Sequence, residues 1–175
     1  MNELFKGKNW KIMKEILYDP SVKIHVRNVA KKLKVSPSSV SQTVKTMIKL
    51  GMAKRKTIDI DNPRVRGMKF IFNTETVIPL IGIIQKKEYI TGFGMYGSWA
   101  NGTNNGMSDL DLWIKTRKYP EVHELAGLRA IIRKKMRVEP SILVLTDKRV
   151  EEFRKNNPPL YFSLINSFKM WGEHL

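Results

Sequence analysis

The sequence predicts an α+β protein built in two parts, and three observations carry that prediction. Apolar residues recur at helical spacing through the first half, with lysines between them. Positive charge is concentrated in the same half: residues 1–88 hold 19 Lys+Arg against 7 Asp+Glu, a net of +12, and residues 89–175 hold 13 against 9, a net of +4. The second half alternates strand-like runs with helical stripes, and one of its turns carries a Gly-Ser pair followed by two aspartates two residues apart.

A chain of 175 residues with 42% apolar content can form one domain or two small ones. It has no cysteine, which excludes disulfides, thiolate metal sites and a thiol nucleophile. Residues 1–11 are polar and basic, unlike a signal peptide. The apolar run at residues 77–84 is broken by Pro79 and Gly82 and is too short to span a bilayer. A cytoplasmic protein without membrane contact is therefore expected. The net charge of +16, weighted to the first half, predicts a polyanionic partner there; a solubilising or heat-resistant surface is the alternative.

Trp10, Met13, Ile16 and Leu17 predict a first helix, ended by Asp19-Pro20. Val26, Val29, Ala30 and Leu33 give a second stripe. Ser36 is a good N-cap and Pro37 suits the first position of a third helix. In that helix Val40, Val44, Met47 and Ile48 share one face, and Ser38, Gln42, Lys45, Thr46 and Lys49 lie opposite. Gly51 ends it. Residues 52–60 and 64–72 read as two strands around a turn at Asp61-Asn62-Pro63, a basic hairpin drawing together Lys54, Arg55, Lys56, Arg64 and Arg66. Residues 74–88 read as a short, mostly apolar helix, a packed connection rather than a flexible linker.

Residues 8–73 resemble a winged helix-turn-helix domain, on Val29-Ala30-Lys31-Lys32-Leu33, Val35-Ser36, Ser39-Val40-Ser41 and Val44. The resemblance implies double-stranded DNA as partner, with the third helix in the major groove. There Gln42 suits adenine, Ser38 and Thr46 suit several bases, and Lys45 and Lys49 meet phosphates. Arg55, Arg64 and Arg66 of the hairpin would lie along the backbone or in the minor groove. By analogy with other helix-turn-helix proteins, a homodimer is expected.

In the second half, residues 89–96 read as a strand that delivers Gly97-Ser98 to a helix start. Unpaired N–H groups and the positive dipole end favour a polyphosphate there. Gly97 permits close backbone approach, and Ser98 adds a hydroxyl donor. After a polar loop at residues 102–106, residues 108–114 read as another strand. Asp109 and Asp111 face one side of it, and Leu110, Leu112 and Ile114 face the other. Two adjacent carboxylates are costly unless a cation lies between them. Hard oxygen ligands suit magnesium, and two such ions can clamp the attacking and leaving oxygens of a phosphoryl displacement.

Gly97-Ser98 followed by Ser108-Asp109-x-Asp111 resembles the DNA polymerase β-type nucleotidyltransferase superfamily, specifically its minimal nucleotidyltransferase branch, over about residues 91–114. The order winged helix, then minimal nucleotidyltransferase also resembles a group of small archaeal fusion proteins. The resemblance implies a mixed sheet backed by helices. It implies an NTP substrate such as ATP, two Mg2+ ions, and transfer of a nucleoside monophosphate to a hydroxyl or phosphate. Asp109 and Asp111 would be catalytic metal ligands, and Gly97, Ser98 and Ser108 would hold the nucleotide. The family's third carboxylate falls to Glu139, as metal ligand and as the base that takes the acceptor's proton. Glu139 follows a helix over residues 121–135 whose apolar side is Val122, Leu125, Leu128, Ile131 and Ile132, and it opens the next strand. It departs from the more usual Asp, and Pro140 requires an edge or a bulge there.

Many relatives carry arginines just after the Gly-Ser; here those positions hold Trp99 and Asn101. Counter-charge would come from Lys115, Arg117, Arg129 or Arg133. A helix at residues 148–155, a break, and a second helix through 168 complete the chain, with Phe162, Leu164, Ile165, Phe168 and Trp171 as core. His25, His123 and His174 show no metal-ligand spacing. The predicted division is 1–74 as winged helix, 75–88 as connection and 89–175 as nucleotidyltransferase. Three functions are compatible with it: a magnesium-dependent nucleotidyltransferase tethered to nucleic acid; a DNA-binding regulator with a nucleotide-sensing or inactive second domain; and an antitoxin-like protein that nucleotidylates a partner toxin.

Overall fold

The computed structural model describes residues 7–175, so residues 1–6 of the predicted first domain lie outside the described residues. Two compact units result. One comprises the described residues up to Phe72 together with Gly102–Met107; the other comprises Asn73–Asn101 and Ser108–Leu175.

The first unit opens with three helices, α1 (Gly7–Tyr18), α2 (Val26–Leu33) and α3 (Pro37–Lys49). Their stripes meet in one core of Ile12, Met13, Ile16, Leu17, Ala30, Val40, Val44 and Met47. Ser36 caps α3 by accepting the Ser39 N–H at 3.2 Å, and Pro37 occupies the first turn, where a missing N–H costs nothing. A very short hairpin follows, β1 (Ala53–Lys54) against β2 (Thr57–Ile58).

The second strand expected at residues 64–72 is instead a helix, α4 (Pro63–Val77). The Arg64-Val65-Arg66 alternation suggested a strand, but Asn62 Oδ1 accepts the Arg64 N–H at 2.9 Å and Pro63 stands at the helix start. Val65, Met68 and Phe72 then recur at helical spacing and are buried. Arg64 and Arg66 consequently leave the hairpin. Arg64 donates to the Leu50 carbonyl at the end of α3 (3.3 Å), and Arg66 pairs with Asp61 (2.7 Å).

Lys69 on α4 is 2% exposed, and its Nζ donates to the Leu17 carbonyl at 2.7 Å. A buried ammonium is costly. This one lies at the C-terminal end of α1, where carbonyls lack helical partners and the dipole is negative, and it feels the charge of Asp19. Burial nevertheless outweighs these and lowers its pKa to about 8.

Through a 3₁₀ turn (Ile78–Leu80), α4 continues into α5 (Ile81–Ile84), so the separately expected connecting helix is the end of a longer one. The 22-residue run Pro63–Ile84 has the length and composition to cross a membrane, its most apolar 18-residue window having a mean hydropathy of 1.3. One side of it, with Val65, Met68, Phe72, Val77, Leu80 and Ile84, is buried within the protein.

The second unit is a four-stranded mixed sheet with helices. Its strands are β3 (Ile90–Met95), β4 (Leu110–Thr116), β5 (Pro140–Leu145) and β6 (Phe168–Gly172), in the order β5-β4-β3-β6. β3 is antiparallel to β4 and β6, and β4 is parallel to β5. A parallel pair needs a crossover, supplied by α7 (Val122–Met136). α7 buries Leu128 and Ile132, whereas Val122 and Ile131 of the expected apolar side are exposed. Helices α8 (Asp147–Asn156) and α9 (Pro158–Ile165) precede β6.

β6 replaces the expected end of the last helix. Strand formation there depends on pairing with β3, which is remote in sequence. Of the core expected in this stretch only Leu164 is buried; Phe162, Ile165 and Phe168 are exposed and Trp171 is half-buried. The centre is held by Trp113, fully buried with Leu145 and Leu164, whose Nε1 donates to Ser167 Oγ at 2.8 Å. Gly94 lies opposite Trp113 in the register, and the indole occupies the space a Cβ would need.

Candidate active site

β3 ends at Met95 and α6 (Gly97–Asn101) begins two residues later. Gly97 has φ +64, a left-handed conformation that side chains disfavour. A Cβ at this position would run into the Asp111 carboxylate, with Cγ at 3.1 Å. The glycine therefore lets the carboxylate lie against the turn. Asn73 Nδ2 fixes the turn from behind, donating to the Trp99 carbonyl at 2.8 Å, and Trp99 itself is buried packing. With only five residues α6 has little dipole, so what the turn can offer a phosphate is chiefly the Ser98 hydroxyl.

Asp111 is the second residue of β4, and Asp109 immediately precedes the strand. Tyr96 N–H donates to the Asp111 carbonyl at 3.1 Å, which locks the turn to β4. Burial raises the Asp111 pKa, the charge of Asp109 raises it further, and a hydrogen bond from Ser141 lowers it. The two aspartates thus sense each other as like charges. Among the described residues neither forms a salt bridge with a lysine or arginine, in a chain of net charge +16. Two carboxylates left without a protein cation form a donor set that suits a hard divalent ion.

Ser141 was not singled out by sequence reasoning. It lies beside Asp111 in the parallel β4–β5 register, and its hydroxyl lowers the pKa of both Asp111 and Tyr96; the Tyr96 hydroxyl is nevertheless pushed up, first by burial and then by the Asp111 charge. Only the strand register reveals this neighbour, so no local motif would have found it.

Glu139 stands at the start of the strand, as expected, but its carboxylate has a partner on α7. It precedes β5, whose start at Pro140 is on a sheet edge, as the proline requires. Its carbonyl accepts the Leu110 N–H at 2.9 Å, but its exposed carboxylate pairs with Arg133 of α7. That hydrogen bond above all holds its pKa below the usual range. No cluster of three or more His, Cys, Asp or Glu side chains suited to a metal occurs among the described residues, so Glu139 is not gathered with the aspartate pair.

The expected DNA-contact residues lie in the first unit. Ser38, Gln42, Lys45 and Lys49 are exposed on α3, and Thr46 donates its hydroxyl to the Gln42 carbonyl at 3.1 Å. Arg55 stands at the hairpin turn with φ +56. Arg64 and Arg66 are on α4, bound to the Leu50 carbonyl and to Asp61.

The second unit is thus a mixed sheet that presents a glycine turn against the Asp111 carboxylate, with Asp109 two residues before it. A family model described as the nucleotidyltransferase domain matches residues 79–167, just over half of the chain, and the chain belongs to that family. No curated protein matches the chain.

Proposed function

We propose that the protein is a magnesium-dependent nucleotidyltransferase of the minimal type, and that its first unit is a winged helix-turn-helix that docks the enzyme on double-stranded DNA. The observation that carries the enzymatic reading is the Asp109–Asp111 pair, which among the described residues has no salt-bridge partner and whose Asp111 lies against the Gly97 turn. In this reading Asp109 and Asp111 hold the ions, and Gly97, Ser98 and Ser108 hold the triphosphate. Magnesium bound there would neutralise the triphosphate and orient it for in-line attack. An acceptor oxygen displaces pyrophosphate at the α-phosphorus; one P–O bond forms as another breaks. Ser141 favours the ionised form of the Asp111 carboxylate, and the Tyr96 N–H holds the backbone of that residue. The DNA reading is supported by the exposed face of Ser38, Gln42, Lys45 and Lys49 on α3, and by Arg55 at the hairpin turn.

A second reading has one observation in its favour. Glu139 is paired with Arg133 rather than with the aspartates, which fits a DNA-binding regulator whose second domain senses a nucleotide without turning it over. One experiment separates the two. The protein is incubated with magnesium and labelled ATP, GTP, CTP or UTP, with RNA and protein acceptors, a small helical toxin partner among them. Asp109→Ala/Asp111→Ala is run alongside. Label transfer that the double variant abolishes establishes the enzyme. Absence of transfer with every acceptor, together with sequence-specific DNA binding, establishes the regulator. For the DNA face, Lys45→Ala/Lys49→Ala lowers the salt dependence of binding by about one unit of slope for each phosphate no longer neutralised.

A further inference from the structure

Beside the Gly97 turn a cleft of about 320 Å³ opens, walled by Gly97 and Asn101 on one side and by Phe162, Ser163, Asn166 and Ser167 on the other. Its volume lies at the lower end of the range for small-molecule sites. None of the side chains lining it carries a formal charge, although the chain as a whole has a net charge of +16. A triphosphate has no cationic partner inside it. A flat, uncharged group rich in hydrogen-bonding edges is better matched to this lining.

The far wall is suited to such a group. Phe162 is 61% exposed, an unusual position for a large aromatic, and the Tyr161 ring supports its own edge-on at 5.8 Å. Ser167 Oγ already accepts from the buried Trp113 indole, so its own O–H remains to donate. Asn166 is fixed by donating to the Phe162 carbonyl at 2.8 Å. Leu164, buried between these residues, ties the wall to the core. The cleft is therefore built on fixed elements, and it is continuous with the turn that faces Asp111.

We propose that this cleft seats the nucleobase of the substrate, stacked on Phe162 and hydrogen-bonded along its edge by Asn101, Ser163 and Ser167, with the triphosphate outside it at the Gly97 turn. The inference rests on the nucleotidyl-transfer reading above and adds specificity residues to it. Purines, with the larger stacking face, are preferred to pyrimidines.

Equilibrium binding of ATP, GTP, CTP, UTP and inorganic tripolyphosphate, each with magnesium, tests it on the full chain. The chains compared are the wild type, Phe162→Ala, Phe162→Tyr and Asp109→Asn/Asp111→Asn. Phe162→Ala is expected to weaken nucleotide binding about five- to hundredfold, most for purines, and to leave tripolyphosphate unchanged. Phe162→Tyr restores binding. Unchanged nucleotide affinity in Phe162→Ala overturns the base seat, as does an equal loss for tripolyphosphate. So does nucleotide binding in the wild type that is no tighter than tripolyphosphate binding. Lost transfer with intact nucleotide affinity would assign the cleft to the acceptor instead. If the wild type binds neither nucleotide nor tripolyphosphate, or the aspartate variant binds both as well as the wild type, the nucleotidyl-transfer reading itself falls.

Discussion

Replacing Gly97 with alanine separates the two reasons for glycine at this position. The first is the backbone: φ is +64, and an L-side chain there costs about 1–2 kcal/mol. The second is Asp111, whose Cγ and Cβ would lie 3.1 and 3.3 Å from the added methyl, with a carboxylate oxygen nearer still. Either the strand or the carboxylate must move, and overpacking of this kind costs about 1–3 kcal/mol. Gly97→Ala is therefore expected to cost about 2–5 kcal/mol in the wild type. In an Asp111→Ala background the carboxylate is gone and mainly the backbone term remains, about 1–2 kcal/mol. Urea unfolding followed by tryptophan fluorescence reads the difference, because Trp99, Trp113 and Trp171 all lie in the second unit. Gly127→Ala, in an open position within α7, serves as control and is expected to stabilise by about 0.5–1 kcal/mol. An equal cost of Gly97→Ala in both backgrounds would refute the claim that the turn is shaped around Asp111.

Asp111→Asn is expected to raise stability while lowering any nucleotidyl transfer by about a thousandfold. The raised pKa of Asp111 means that the folded state disfavours its ionised form. This penalty is present above the folded pKa and is relieved as pH falls toward the ordinary aspartate value of 3.8, so thermal midpoints of variant and wild type should converge in acid. Ser141→Ala removes the hydrogen bond that lowers the Asp111 pKa, so the acid limb of the pH–rate profile moves to higher pH; an unmoved limb would leave Ser141 without a positioning role. Lys69 has its pKa lowered from 10.5 to about 8, so between these values the unfolded chain binds a proton that the folded chain has lost. Stability of the first unit should then rise across that window by about 3 kcal/mol, and Lys69→Met should flatten the rise.

What the sequence made legible was whatever is decided locally. The three helices of the first unit follow from stripes at helical spacing and from the Ser36-Pro37 start, and both survive packing. The β3–Gly97–Ser98 turn and the strand after Asp109 were legible because a strand-like run into a Gly-Ser and an alternating apolar run are local patterns. What required partners was not legible. The alternation around Arg64 is a two-residue accident, and burial of Val65, Met68 and Phe72 makes that segment a helix. β6 is a strand because β3 offers it an edge, and Phe168, expected in a helical core, is exposed at its start. Glu139 stood at the right place in the chain, but Arg133, six residues earlier, holds its carboxylate. Ser141 is a neighbour of Asp111 only through the register.

The counter-charge for a triphosphate follows from the same geometry. Trp99 is buried and Asn101 is neutral, so the residues after the Gly-Ser offer no cation. Lys115 lies four residues beyond Asp111 on β4, about 13 Å along the strand. It is already committed to Asp147 at 3.2 Å and Glu173 at 3.6 Å. Arg133 is held by Glu139, and Arg117 lines a separate cleft with Tyr89 and Glu121. Arg129 is exposed on α7 and lends its charge to Glu139. On the proposed reading, then, the negative charge of the nucleotide is met chiefly by divalent ions held at Asp109 and Asp111 rather than by the protein. Nucleotide affinity should therefore collapse on chelation and be nearly insensitive to Lys115→Met. Tight binding in the presence of excess EDTA would mean that a protein cation other than these four carries the phosphates, and that the aspartate pair serves another purpose.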